Sequence, residues 1–343
     1  MGLDNRKILL IYTGGTIGMV KDYQTGALKS FDFDKLLKHV PELNQLDCSI
    51  DTISFENPLD SSNMNPQEWV RIVTLIEEHY VGYDGFVILH GSDTMSYTAS
   101  ALSFLLENLD KPVILTGSQL PIGDLRTDAK ENLITSVQIA ALQKNGTSVI
   151  KEVGLYFEYK LYRGNRTTKI NAENFRAFAS LNYPHLVESG VHLNVFSEYL
   201  LPCKRNKKLV VHKKMDENVA LVKLFPGMNK AVFENVLKTE GLKALILETY
   251  GSGNGPTVDW FLTSLKKSIE NGLHVINITQ CSGGSVLMGK YETSSALMEM
   301  QVINGKDITT EAAISKAMYM LGSGVSSKHF KTVFETSLRG EMH

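Results

Sequence analysis

The stretch Tyr83–Phe104 reads YDGFVILHGSDTMSYTASALSF and gives the clearest indication of the fold. A continuous apolar run, Phe86–Leu89, is followed by a polar loop and then by a helical pattern that starts at Thr94. A strand that is apolar on both faces is typical of a parallel sheet covered by helices. The polar loop follows the end of this strand, which is where open α/β sheets bind their ligands.

The same alternation of strand and helix recurs along the chain. Other apolar runs that predict buried strands are Lys7–Tyr12, Val113–Thr116, Val153–Phe157, Val219–Leu224, Lys243–Glu248 and Val275–Thr279. Helical patterns between and after them begin at Asn65 and cover Thr94–Leu109, Thr127–Leu142, Val258–Glu270, Glu311–Leu321 and His329–Thr336. Alternation of this kind predicts a doubly wound α/β sheet followed by a second α/β unit.

The length of the chain favours two domains. It has 343 residues, and single cores tend to split above roughly 250–300 residues. The alternation breaks at 183–214, a stretch that contains prolines and a basic cluster at 204–208. We therefore predict an N-terminal domain over 1–190, a linker over 191–214 and a C-terminal domain over 215–343.

Composition excludes several classes of partner and cofactor. The formal net charge is −2 and no long run of like charges occurs, so a nucleic-acid partner is not expected. The first apolar run, Lys7–Tyr12, is too short to span a membrane. Cys48, Cys203 and Cys281 are odd in number and widely spaced, which indicates reduced thiols in a cytoplasmic protein. The sequence also lacks the usual metal-binding and P-loop motifs.

The glycine-rich segment after the first predicted strand is a candidate for chemistry. Thr13–Gly18 reads TGGTIG, and glycines at such a point allow a close approach of backbone to ligand. A dinucleotide-binding loop is one interpretation, although the GxGxxG spacing is not met and no helical pattern follows. The hydroxyl of Thr16 between glycines favours a nucleophile of acyl transfer, with backbone N–H groups nearby for the oxyanion.

Two further polar segments offer proton-handling groups. Ser92 and Asp93 either cap the helix that follows or belong to a site at the end of the strand. His90 beside them is more typical of a structural histidine than of a base. Lys169 is either a solvated cation or, if drawn near Asp93, a group that transfers protons. Two other loops follow strand-like runs and are interpreted as ordinary loops: Asp60–Ser62 and Thr116–Gln119.

Together these segments resemble the bacterial L-asparaginase family, and the type I cytoplasmic branch is the most similar. The resemblance rests on Thr13–Met19, Tyr83–Phe104 and Leu161–Lys169, together with the shorter motifs PLDSSNM, TGSQLP, AFAS, YGSGNGP, TQCSGG and SLRGE. It implies a two-domain α/β fold, with a large N-terminal, mostly parallel sheet flanked by helices and a smaller C-terminal α/β domain. It also implies a homo-oligomer, a dimer or a dimer of dimers, whose sites lie between one subunit's N-terminal domain and its neighbour's C-terminal domain.

The resemblance implies a role for each matching residue. Thr16 matches the nucleophile, and Ser92, Asp93 and Lys169 match a hydroxyl–carboxylate–lysine relay. The positions that match substrate-binding residues are Asp60, Ser61, Gly91 and Asn254, the last contributed by the partner subunit. The family uses no metal or organic cofactor.

This chain departs from the family pattern at three places. The relay hydroxyl is usually a threonine, and here it is Ser92. The flexible-loop tyrosine of many relatives is missing, so that either Tyr23 or Tyr291 assists Thr16. A regulatory asparagine site of type I relatives matches at Thr168 and Cys281, but its arginine position holds Glu248, whose carboxylate would repel the carboxylate of an effector.

The expected activity is hydrolysis of the L-asparagine side-chain amide to L-aspartate and ammonia through a threonine acyl-enzyme. Two alternatives are an amidotransferase subunit that supplies ammonia for tRNA-linked amidation and a non-catalytic asparagine-binding regulator. Ammonia release from asparagine in the absence of tRNA would separate the three.

Overall fold

A computed structural model of the chain describes residues 6–21, 28–30, 40–202, 207–289 and 292–343. The chain divides into two compact units, Met1–Lys213 and Lys214–His343. Three residues singled out in the sequence, Tyr23, Cys203 and Tyr291, lie outside the described residues.

The N-terminal unit carries sixteen strands among its described residues. They are β1 (Arg6–Gly14), β2 (Met19–Lys21), β3 (Leu28–Ser30), β4 (Cys48–Leu59), β5 (Gly85–Leu89), β6 (Leu106–Glu107), β7 (Val113–Thr116), β8 (Gln143–Lys144), β9 (Thr147–Ser148), β10 (Val153–Phe157), β11 (Lys160–Arg163), β12 (Thr168–Lys169), β13 (Phe178–Ala179), β14 (Val187–Ser189), β15 (Leu193–Val195) and β16 (Val210–Val211). Its described α-helices are α1 (Pro66–His79), α2 (Met95–Leu105) and α3 (Ala129–Ala141). Helix α1 starts as predicted, because Asn65 Oδ1 accepts from the backbone N–H groups of Gln67 and Glu68.

Eight strands form the main sheet, in the order β15-β14-β11-β10-β7-β5-β1-β4. The five strands from β10 to β4 pair in parallel, and β11, β14 and β15 extend the sheet in antiparallel fashion. Strand β1 lies between β4, which follows it in the chain, and β5. Within the main sheet the chain passes from β1 to β4 on one side and then crosses to β5 on the other side, so the strand order reverses between β1 and β5 and a crevice is expected at their carboxyl ends.

The predicted fold class is confirmed, and the sequence pattern explains it. Residues Ile8–Tyr12 of β1 and all of β5 are buried, as both faces of the sheet are covered. Part of the segment predicted as a linker instead belongs to this unit. Strand β15 pairs with β14 at the edge of the main sheet, and β16 pairs with β6. An alternating run, with half-buried Leu193 and Val195 on either side of exposed Asn194, is compatible with such an edge strand.

The C-terminal unit is a smaller parallel sheet with helices. Its strands are β17 (Val219–Lys223), β18 (Ala244–Thr249), β19 (His274–Thr279) and β20 (Ile303–Asn304), in that spatial order and all parallel. The described helices are α4 (Lys230–Leu237), α5 (Asp259–Glu270), α6 (Glu292–Glu299), α7 (Thr310–Gly322) and α8 (Ser327–Phe334). Within the parts of the chain described above, no helix is long and apolar enough to cross a bilayer.

Candidate functional site

Three loops of the N-terminal unit meet near the carboxyl ends of β1 and β5: the first contains Gly15 and Thr16, the second Asp60 and Ser61, and the third His90–Thr94. Gly15 has a φ of +90°, and a Cβ built there would lie 2.4 Å from the backbone nitrogen of Gly91. A Cβ built on Gly91 would in turn lie 2.5 Å from Ser61 Oγ. Thr94 Oγ1 donates to the carbonyl oxygen of Ser61 at 2.7 Å and joins the second and third loops. Because these approaches leave no room for a side chain, positions 15 and 91 require glycine.

Thr16 is the accessible residue of the first loop. It starts a short 3₁₀ helix, Thr16–Gly18, and it is half-buried, whereas Gly15 and Ile17 on either side are buried. Gly18 runs directly into strand β2. The loop therefore lacks the helix N-terminus that binds a pyrophosphate in dinucleotide sites, which disfavours that interpretation.

The predicted relay residues are in direct contact. Lys169 Nζ donates to Asp93 Oδ1 at 2.6 Å and to Ser92 Oγ at 2.9 Å. Ser92 and Asp93 lie in a 3₁₀ turn after β5, and Lys169 lies on β12, which pairs with β13. The Lys169 side chain is 18% exposed and that of Asp93 is 67% exposed. A hydroxyl, a carboxylate and an amine in contact beyond the carboxyl end of a buried strand can hold and transfer a proton.

Gln119 joins this group, although the sequence of its loop, Thr116–Gln119, predicts an ordinary loop. Ser92 Oγ donates to Gln119 Oε1 at 3.1 Å. The sequence signal that could have identified Gln119 was the position of its loop, which follows the carboxyl end of β7, the strand beside β5. The identity of the residue alone did not distinguish it from a solvated glutamine.

His90 is a structural residue of the third loop. It is fully buried, and burial lowers its pKa from 6.5 to about 4. Trp69 Nε1 donates to Thr98 Oγ1 at 3.0 Å, so the hydroxyl proton of Thr98 is free to point to His90 Nε2 at 2.9 Å. Nδ1 of the neutral ring then carries the proton and donates to the carbonyl of Gly91 at 2.7 Å. His90 thereby fixes the backbone beside Ser92.

Asp60 presents a carboxylate at the second loop. Its Oδ1 accepts from the backbone N–H of Ser62 at 2.9 Å and from the Ser62 hydroxyl at 2.8 Å. These hydrogen bonds lower the pKa of the Asp60 carboxyl group, which is exposed. Ser61, the next residue, is buried. An anionic group beside a hydroxyl is a combination that suits the ammonium group of an amino acid.

Asn254 lies in the C-terminal unit, in a turn that two buried side chains hold. Tyr250 and Asn254 form an isolated β-bridge across the turn. Asn277 Nδ2 donates to the carbonyl of Gly253 at 3.0 Å, and Asn277 Oδ1 accepts from Thr249 Oγ1 at 2.6 Å. The half-buried Asn254 is therefore presented from a rigid turn at the carboxyl end of β18.

The candidate allosteric residues are divided between the two units. Thr168 is half-buried on β12 of the N-terminal unit, and Cys281 is exposed after β19 of the C-terminal unit. The carboxylate of Glu248, buried at the end of β18, accepts from Thr310 Oγ1 at 2.6 Å and lies 3.6 Å from Lys223 Nζ. Glu248 already has a cation and a hydroxyl as partners.

Metal-ligating groups are a separate question. In the part of the chain that the structure describes, no cluster of three or more His, Cys, Asp or Glu side chains could hold a metal ion.

Comparison with known families adds a matching pair of domains. The family model described as "Asparaginase, N-terminal" matches residues 7–200, and the model described as "Glutaminase/Asparaginase C-terminal domain" matches residues 218–334.

Individual proteins match over almost the whole chain. L-asparaginase 1 of Escherichia coli (strain K12) is 42% identical and covers 99% of both chains. The 60 kDa lysophospholipase of Mus musculus is 39% identical over 98% of this chain and 62% of its own length. The crystal structure of L-asparaginase I from Vibrio cholerae has a TM-score of 0.90 and 40% identity, with 99% of both chains covered.

Proposed function

Because the chain belongs to the asparaginase family, we propose that it hydrolyses the side-chain amide of L-asparagine to L-aspartate and ammonia. The observation that carries the proposal is the contact of Lys169 with Asp93 and Ser92, in a loop whose Gly91 packs against Gly15, the neighbour of Thr16. A binding protein would need the loops that hold the amino acid, but it would not need a proton relay next to a free hydroxyl.

The first chemical step forms an ester with Thr16. Its Oγ bonds to the carbon of the side-chain carboxamide, and its proton passes to a base. The C–N bond then breaks, and the departing nitrogen takes a proton and leaves as ammonia. A threonine hydroxyl is a poor nucleophile unless a base removes its proton. Lys169, held by Asp93 and linked to Ser92, is our first candidate for that base once it has given up a proton, and Tyr23 or Tyr291 is the second.

The second step returns the enzyme to its starting state. Water attacks the carbonyl carbon of the β-aspartyl ester, the ester C–O bond breaks, and Thr16 Oγ regains its proton from the base. In both steps, backbone N–H groups near Thr16 and Ser92 stabilise the oxyanion. Such donors contribute about 2.7–4 kcal/mol each in other enzymes.

The rest of the substrate is held by the second and third loops. Asp60 binds the α-ammonium group, since its hydrogen bonds to Ser62 keep the carboxylate ionised. Asp93 shares the α-ammonium group with Asp60, the Ser61 hydroxyl donates to the α-carboxylate, and Gly91 leaves space for them. The substrate is thereby fixed with its carboxamide toward Thr16.

The test is a direct assay on the purified chain. We expect ammonia and aspartate in equal amounts from L-asparagine when no tRNA is present. An amidotransferase subunit would instead need its tRNA-bound acceptor, and a regulator would bind asparagine without releasing ammonia. Absence of ammonia together with measurable asparagine binding would reject the proposal.

Assembly and location form part of the same proposal. We place the enzyme in the cytoplasm as a homo-oligomer, with Asn254 contributed to the site by a second copy. Cys48 and Cys281 are free thiols, which a reducing compartment preserves. If sites are shared, a mixture of inactive Thr16→Ala and Asn254→Ala chains should regain activity as hybrids form. No recovery after subunit exchange would reject a shared site.

A further inference from the structure

The side chain of Ser92 does little by itself to fix the direction of its hydroxyl, which is the relay hydroxyl. Serine has three staggered χ1 positions, and it lacks the Cβ methyl that restricts χ1 in threonine. Lys169 Nζ lies 2.9 Å from Ser92 Oγ and accounts for one of the hydroxyl's interactions. In the resting state shown by the structure, a protonated Lys169 only donates, so this contact leaves the proton of Ser92 without a direction.

Gln119 supplies that direction, because its amide group has one defined orientation. Its Nε2 lies 3.2 Å from the carbonyl oxygen of Ala172 and 3.1 Å from that of Asn174. Carbonyl oxygens only accept, so the amide must place its NH₂ group toward them and its oxygen toward Ser92. The Ser92 hydroxyl therefore donates to Gln119 Oε1, and its lone pairs remain for Lys169.

The backbone of Gln119 is fixed as well. Its N–H group donates to the Asp128 carboxylate, at 3.1 Å and 3.0 Å from the two oxygens. The same carboxylate accepts from the N–H of Leu120 and from Asn132 Nδ2. Asn132 Nδ2 also donates to the carbonyl of Gly117 at 2.9 Å. The acceptor that faces Ser92 is therefore held at its backbone and at its amide.

We infer that Gln119 is a positioning residue, which holds Ser92 in the χ1 rotamer that receives the hydrogen bond of Lys169. In this chain the Gln119 amide restricts χ1 of Ser92, which is part of what the methyl group of a threonine would do at that position. The inference rests on the proposed function, since it concerns the same site. It goes further by giving a task to a residue that touches neither Thr16 nor Lys169 in the hydrogen bonds of the site.

The test is one substitution, Gln119→Met, made in two proteins: one with Ser92 and one with Ser92→Thr. Gln119→Met keeps the length of the side chain and removes both hydrogen-bonding groups. With Ser92 present, we expect kcat to fall about fivefold to tenfold, which corresponds to one lost hydrogen bond, with little change in KM. In the Ser92→Thr background the methyl already restricts χ1, so the loss should be at most about twofold.

Asn171→Ala serves as a matched control for the loop that Gln119 also holds. Asn171 Oδ1 accepts from the backbone N–H groups of Glu173 and Asn174, both at 2.8 Å, and has no hydrogen bond to Ser92. If Asn171→Ala lowers kcat, it should do so by the same factor in the Ser92 background and in the Ser92→Thr background. If Gln119→Met also costs the same factor in both, it acts through the loop alone and the inference is wrong.

A second readout does not depend on turnover. In a high-resolution crystal structure of Gln119→Met, Ser92 Oγ should occupy more than one χ1 rotamer, and the unsubstituted protein should show one. A single unchanged rotamer would overturn the inference even if activity fell. An unsubstituted protein that releases no ammonia would overturn the proposed function instead. Gln119→Asn, which keeps a polar amide but is too short to reach Ser92, replaces Gln119→Met if that variant fails to fold.

Discussion

Lys169 Nζ lies 2.6 Å from Asp93 Oδ1, although the two residues are 76 positions apart in the chain. The contact joins the loop after β5 to the short strand β12, so it exists only in the folded N-terminal unit. Lys169 also donates to Ser92, the neighbour of Asp93. The three side chains are therefore expected to act as one unit.

Lys169→Met and Asp93→Asn should each lower kcat by several orders of magnitude. The double variant should lose little more than either single one, because the members of one relay are not additive. Steady-state rates of ammonia release measure this. Lys243→Met is the control, as Lys243 forms an ion pair of the same 2.6 Å length with Asp216 in the other unit, and it should leave kcat near that of the parent. Losses that multiply fully in the double variant would show that the residues act independently.

Thr16→Ala should abolish turnover while the fold and asparagine binding remain. Thr16 is half-buried in a loop and contributes little to the core, but no acyl-enzyme forms without its hydroxyl. Calorimetric titration with asparagine and an ammonia assay measure the two properties separately. Thr16→Ser keeps a hydroxyl and should retain part of the activity. Turnover near the parent rate in Thr16→Ala would rule out the assigned nucleophile.

Glutamine should be a poor substrate. If Asp60 and Ser61 hold the α-carbon groups, one extra methylene moves the carboxamide carbon beyond Thr16. A one-methylene difference is worth roughly 1–3 kcal/mol in discrimination, and misplacement of the reacting carbon adds to it. The comparison is kcat/KM for the two amides on the same preparation. Equal values would contradict anchoring at the α-carbon.

Substrate kinetics should be hyperbolic. An effector carboxylate at Glu248 would meet a like charge, which costs about 1 kcal/mol at a few ångströms in water and more when partly buried. The Glu248 carboxylate also accepts a hydrogen bond from the Thr310 hydroxyl and lies beside Lys223. Initial rates over a wide asparagine range give the Hill coefficient. A coefficient clearly above one that Cys281→Ala abolishes would contradict this prediction, and Glu248→Arg tests the converse, a gain of cooperativity.

The stability of the N-terminal unit should fall in mild acid because of His90. Burial lowers the pKa of His90 from 6.5 to about 4, so between these values the unfolded chain binds the extra proton and the folded chain does not. This contribution is fully present above pH 6.5 and is lost as the pH falls toward 4, by about 3 kcal/mol in all.

The His90→Gln variant measures that contribution. It should be less stable than the parent at neutral pH, and the difference should narrow as the pH falls from 6.5 to 4. Denaturant titrations at several pH values give both curves. Parallel curves would show that His90 does not set this part of the pH dependence.

Regular elements with strong local signals were predictable from the sequence. Strands β7 and β10 begin and end at the predicted residues, because both are continuous apolar runs buried on both faces. Strand β4 was not predicted, since it lies at the sheet edge, contains Pro58 and Asp51, and buries only Phe55 completely. Edge strands have one neighbouring strand and need no continuous apolar run, so they are hard to predict from the hydrophobic pattern of the sequence.

Candidate residues of the site could be selected from the sequence, but not all of their contacts could. Polar residues after buried strands indicated Thr16 and Ser92, and the polar loop that contains Lys169 offered a proton-transferring group if it lay near Asp93. Gln119 was missed, because its role comes from three hydrogen bonds that only the tertiary fold creates. The approach of Gly15 to Gly91 was equally invisible in the sequence, since it joins the loops after two strands that are far apart in the chain.

That approach also determines where the protein can be redesigned. A library that varies Gly15 or Gly91 would sample chains whose loops are forced apart, because even alanine places its Cβ within 2.5 Å of backbone or of Ser61 Oγ. Substrate range should therefore be altered from the outer side of the crevice, at positions whose side chains face solvent. Directed evolution of this enzyme would then treat the glycine contact as fixed scaffold, in the way that a cofactor-binding loop is left untouched.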